Sequence, residues 1–149
     1  MNVGSGNLRT SQRVYRAPYL YIAQSLGRQR LLRIGQTMRP DYELQRMRQR
    51  YAAGVRMIAH VRAYALLAPI LWQRFGYCAT SHGGQWFTPD RKLVTLAGMF
   101  RLRGPENLVT ADALLALFGA IFPDEPYAGI ARYRICEAYI MSARGNGKY

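Results

Sequence analysis

Cys78 and His82 place two soft candidate ligands, also conceivable as nucleophile and base, four apart in Cys78-Ala79-Thr80-Ser81-His82. A structural zinc site needs four ligands at short spacings. Only Cys136 and His60 remain to complete one, and no two cysteines stand close together. As nucleophile and base, Cys78 and His82 share one loop without an acid to orient the imidazole, so the logic of a catalytic triad is unmet. The turn Ser81-His82-Gly83-Gly84 has no nucleophile elbow to serve, because Gly4-Ser5-Gly6 is the nearest approach to one and belongs to a polar terminus. The acid pairs Asp41/Glu43 and Asp124/Glu125 stand where helices are expected to begin, and capping and the helix dipole account for them. No phosphate-binding glycine loop, dinucleotide fingerprint or paired-histidine zinc motif occurs. The expectation is therefore a protein without catalytic, cofactor or metal residues, and not an enzyme.

Arginine is the informative residue type. The chain has 149 residues, with 21 basic side chains against 8 acidic ones and a formal charge of +13. All the basic residues except Lys92 and Lys148 are arginine. Residues 1–75 carry +11 of that charge, with Asp41 and Glu43 their only acids. A planar guanidinium suits bidentate contact with phosphate or carboxylate and tolerates interfaces better than an ammonium. Arg9, Arg13, Arg16, Arg28, Arg30, Arg33, Arg46 and Arg50 are the residues expected to meet an anionic partner. Tyr15, Tyr19, Tyr21, Tyr42, Tyr51 and Tyr64 are interleaved with the arginines of this half. Three partners fit: ribosomal RNA phosphates, anionic phospholipid headgroups, and acidic faces of neighbouring subunits.

The elements that would position these residues read as mainly α: three to four helices around one core, a small β-hairpin and an extended basic N-terminal arm. The arm is residues 1–40, acid-free, Arg-rich and Ser-containing, the composition of an organellar targeting segment. Residues 19–34 within it are expected to form an amphipathic helix. The helical domain is 41–149. Its longest element is a helix over 41–75, with Asp41 as its cap, because Leu44, Met47, Tyr51, Ile58, Val61 and Trp72 recur at steps compatible with a packing seam. Pro69 would kink or break that helix. A hairpin is expected near 85–103, with Gln85–Thr88 and Lys92–Leu96 as strands around Pro89-Asp90-Arg91. A buried helix opens at Thr110 and ends before Pro123, and another opens at Asp124-Glu125-Pro126.

The best candidates for a membrane span, the uncharged stretches of ten residues at Ala63–Trp72 and eleven at Ala113–Pro123, fall short of the ~20 apolar residues a span needs. On this reading the expected role is a non-catalytic accessory subunit supporting a large mitochondrial inner-membrane complex, of the respiratory-chain or ATP-synthase kind. It would associate with the membrane through other subunits and anionic lipid, without a clear span of its own. The alternative is a mitochondrial ribosomal protein whose Arg-rich arm binds rRNA.

Overall fold

The computed structural model describes residues 17–63, 67–81 and 85–123. Four strands form one antiparallel sheet: β1 (Tyr19–Ser25), β2 (Leu32–Thr37), β3 (Val55–Arg62) and β4 (Trp86–Phe87), in the order β3-β1-β2-β4. Four helices pack with it: α1 (Pro40–Arg50), α2 (Leu67–Arg74), α3 (Arg91–Arg103) and α4 (Ala111–Ile121). The fold is thus mixed α/β, which corrects the mainly α expectation.

The correction is largest at the N-terminal side, where residues expected in a basic arm supply the two inner strands. Successive side chains of a strand point to opposite faces. Leu20 and Ile22 of β1, with Leu32 and Ile34 of β2, enter the larger core beside Leu71, Leu93, Phe100, Leu114 and Phe118. Tyr21 and Ala23 point the other way and pack with Met47 of α1 and Val55 of β3. A strand covered on both faces has no polar face to show, so its sequence reads as one apolar run and mimics a buried helix.

The expected 41–75 helix is three elements. Helix α1 starts with Pro40 in its first turn, after an N-cap at Arg39 that makes no side-chain cap bond, and it stops at Arg50. Gly54 then adopts φ 92°, a left-handed conformation that suits glycine, and its N–H donates to the Tyr51 carbonyl at 3.0 Å. From Val55 the chain pairs antiparallel with β1, and the register shift between Ile22 and Ala23 leaves Ile58 as an extra residue on β3. Pro69 sits in the first turn of α2, where its missing N–H costs nothing. The six seam residues consequently lie apart: Leu44, Met47 and Tyr51 with the smaller core, Ile58, Val61 and Trp72 with the larger. They pack within this chain.

The expected hairpin near 85–103 is likewise corrected. Only Trp86–Phe87 is strand, pairing with Arg33 and Leu32 of β2. Lys92–Leu96 belongs to α3 because the Asp90 carboxylate accepts from the Lys92 and Leu93 N–H groups, at 3.0 and 3.4 Å, and starts a helix there. Helix α4 does begin behind Thr110, whose hydroxyl accepts from the Ala113 N–H at 3.2 Å. The helix expected from Asp124 onward lies outside the described residues. Among the described residues, no helix is long and apolar enough to cross a membrane.

Candidate functional site

The sheet face that carries α1 holds a cleft of about 150 Å³, lined by Arg33, Glu43, Arg46, Met47, Arg50 and Tyr51. Strand alternation puts Arg33 there, since its neighbours Leu32 and Ile34 enter the larger core. Helical spacing puts Glu43, Arg46 and Arg50 together, three and four residues apart on one side of α1. Trp86 of β4 pairs with Arg33 in the ladder and so shares its face.

Behind two of the lining residues, Arg33 and Glu43, and bonded to both, is Tyr21, which is only 1% exposed. Its hydroxyl donates to Glu43 Oε2 at 3.1 Å and accepts from Arg33 Nε at 3.1 Å. The other carboxylate oxygen, Oε1, accepts from Arg46 Nη1 at 3.3 Å. A single hydrogen-bonded chain therefore runs from Arg33 through Tyr21 and Glu43 to Arg46. Burial holds the Tyr21 hydroxyl above the ordinary phenol range. The Arg33 hydrogen bond and charge work against that shift, and the Glu43 carboxylate adds to it. At neutral pH the phenol is a neutral donor.

Gly35 is what makes room for this arrangement. It lies opposite Tyr21 in the β1–β2 ladder. A Cβ at Gly35 would stand 2.5 Å from the Tyr21 hydroxyl oxygen and 2.6 Å from its Cζ. The tyrosine ring crosses over the glycine to reach Glu43, which no side chain at this position would permit. On the other side of Arg33, its guanidinium carbon lies 5.7 Å from the Trp86 ring centroid. Trp86 in turn meets Tyr51 edge-on at 5.2 Å and donates its indole N–H to the Tyr51 hydroxyl at 3.3 Å. Arg33, which lines the cleft, is thus held by a phenol and an indole.

Of the eight arginines expected to meet an anionic partner, the fold brings Arg33, Arg46 and Arg50 together. Arg28 and Arg30 stand exposed in the β1–β2 turn and do not line the cleft. Arg9, Arg13 and Arg16 lie outside the described residues. Other arginines of the same half hold structure together: Arg48 Nε donates to the Val55 carbonyl, Arg56 Nε to Gln24, and Arg62 to Glu106 and the Ala17 carbonyl. The sequence marks Tyr21 only as one of several tyrosines interleaved with the arginines, and it does not single out Gly35 or Trp86 as part of a site. A glycine inside an apolar strand-like run is the one available signal, because it marks a bulge or a close approach.

The Cys78 thiol is buried and donates to the Phe75 carbonyl, and burial pushes its pKa up, away from thiolate character. His82 lies outside the described residues. Among the described residues, no group of three or more histidine, cysteine or acidic side chains is placed to hold a metal ion. Comparison of the chain with protein-family models, curated proteins and solved structures finds no match.

Proposed function

We propose that this protein is a non-catalytic nucleic-acid-binding module that grips the sugar-phosphate backbone in the α1 cleft. The observation that carries this reading is the convergence of Arg33, Arg46 and Arg50 on one small concavity, against the single carboxylate of Glu43. The cleft is too small for a drug-sized ligand, whose pockets begin at about 300 Å³, and it suits a single anionic group. Phosphodiester oxygens match a guanidinium that is already oriented, as Arg33 is by Tyr21 and Trp86. The +13 charge of the whole chain would add long-range attraction to a polyanion.

The cleft is suited to binding rather than cutting. Its phenol is buried and held protonated, and its carboxylate already accepts from Tyr21 and Arg46. The expectation of an accessory subunit in a membrane complex drew on a helical seam awaiting partner helices. That support weakens once the seam residues pack within the chain itself.

The test is binding of a labelled single-stranded oligonucleotide to the full chain, followed by anisotropy, for the wild type and for Arg33→Ala, Arg46→Ala and Arg50→Ala. Each substitution should weaken binding without lowering the melting temperature by more than a few degrees. Unchanged affinity in all three would sink the reading.

A further inference from the structure

We propose that Glu43 makes the cleft select ribonucleic over deoxyribonucleic strands, by accepting a hydrogen bond from the ribose 2′-hydroxyl beside the gripped phosphate. The inference rests on the reading of the cleft as a phosphate site.

A carboxylate is a costly residue in such a place. It repels the phosphate that its three arginine neighbours attract, and removing it would leave a more cationic cleft. Its protein contacts do not use it up. An ionised carboxylate offers about four lone-pair positions. Glu43 spends one on the Tyr21 hydroxyl and one on Arg46 Nη1. Its side chain is 17% exposed and lines the same cleft as Arg33 and Arg50. Its remaining acceptor capacity is available to a ligand in the cleft, and a ligand that uses it carries a hydrogen-bond donor next to its phosphate.

In a nucleic acid the donors near a phosphate are few. Base amino groups are one source, but they change from one nucleotide to the next, and uracil and thymine have none. The ribose 2′-hydroxyl stands next to the phosphodiester on every ribonucleotide, whatever the sequence, and is the group by which a protein tells RNA from DNA. Tyr21 fixes the geometry of this acceptor. The phenol cannot turn away from Glu43, because it is buried and because its ring is laid over Gly35. The acceptor is therefore set in place before the ligand arrives, and the hydrogen bond does not have to be bought with side-chain ordering.

Three oligonucleotides of one sequence decide the matter: single-stranded RNA, the DNA counterpart, and the 2′-O-methyl RNA, whose sugar oxygen has no hydrogen to donate. Binding of each to the full chain is measured at one fixed salt concentration. The wild type should bind RNA about ten-fold more tightly than either of the others, the worth of one hydrogen bond to a charged acceptor. In Glu43→Ala the preference should shrink to within about two-fold, while DNA binding becomes tighter because a negative charge has left the cleft. Equal binding of RNA and DNA by the wild type, or a ribose preference that survives Glu43→Ala, overturns the proposal and leaves the phosphate cleft standing. No binding to any of the three removes the phosphate reading itself. Should Glu43→Ala fail to fold, the wild-type comparison of RNA, 2′-O-methyl RNA and DNA reads the same hydrogen bond from the ligand side.

Discussion

Adding one methyl group at Gly35 probes how far the cleft depends on the pose of Tyr21. The new Cβ would meet both the hydroxyl oxygen and Cζ at well under van der Waals distance, so Gly35→Ala should destabilise the fold by about 1–3 kcal/mol, the usual cost of overpacking. It should also weaken oligonucleotide binding, because the displaced phenol no longer holds Arg33 and Glu43. Tyr21→Phe separates the two effects. It removes a hydroxyl that donates and accepts one bond each, at a stability cost of about 1 kcal/mol, and should lower affinity several-fold by freeing Arg33. In the double variant the ring carbons still collide with the new Cβ. The stability cost of Gly35→Ala should therefore persist while its binding cost disappears, a non-additivity that urea melts and anisotropy would show together. The same phenol gives a pH prediction. Tyr21 and Tyr77 are both held above the ordinary phenol value of 10.0, Tyr21 chiefly by burial, Tyr77 by burial and its hydrogen bond to Asp90. The unfolded chain then loses these protons first, so stability is level below about pH 10 and falls as pH rises above it. Urea midpoints measured from about pH 8 to about pH 11 should fall at the alkaline end, and less so in Tyr21→Phe.

Among the elements, α3 shows best what the sequence did and did not disclose. Thr110 ahead of Ala111-Asp112 was legible as a helix start, and its hydroxyl does cap α4. Asp90 is the same kind of residue, yet Pro89-Asp90-Arg91 also matches a turn, and the β-branched Val94 and Thr95 favour a strand by local preference. The tertiary context decides. Leu93, Leu96, Ala97 and Phe100 recur at helical spacing and are all buried in the larger core, which a strand over the same residues could not achieve. β1 and β3 were misread for related reasons. A central strand apolar on both faces lacks alternation, and a strand with an extra residue at Ile58 breaks the period of two that would have revealed it. Asp90 also accepts from the Tyr77 hydroxyl at 2.8 Å, tying the 3₁₀ turn Gly76–Cys78 to the start of α3. Asp90→Ala should accordingly cost about 1–2 kcal/mol, more than an isolated cap of average strength. Since Asp90 does not line the α1 cleft, affinity for an oligonucleotide should be unchanged under conditions where the variant is folded. A variant that lost binding while keeping its melting temperature would show that α3 reports to the cleft, contrary to this account.

At the scale of the whole molecule, the sheet separates two jobs. One face is closed by α2, α3 and α4 over the larger core, and the other carries α1, whose outer side is cationic. The excess of arginine was legible from the sequence at once, but the residues that matter were not. Arg33 comes from β2 and Arg46 and Arg50 from α1, and only the fold shows that these three meet while Arg48, Arg56 and Arg62 are committed to structural bonds. This division predicts the salt dependence of binding. Each phosphate neutralised on a single strand contributes about −0.7 to the slope of log K against log salt. The one phosphate gripped by the three cleft arginines therefore sets a contribution of about −0.7, and Arg33→Ala, Arg46→Ala and Arg50→Ala should each make the measured slope shallower by up to about that amount. Arg56→Ala, which loses a bond to Gln24 on the β1–β3 pair, should leave the slope within error of the wild type. If instead every arginine substitution reduced the slope equally, binding would follow from the diffuse +13 charge of the chain, and the cleft would have no privileged place in it.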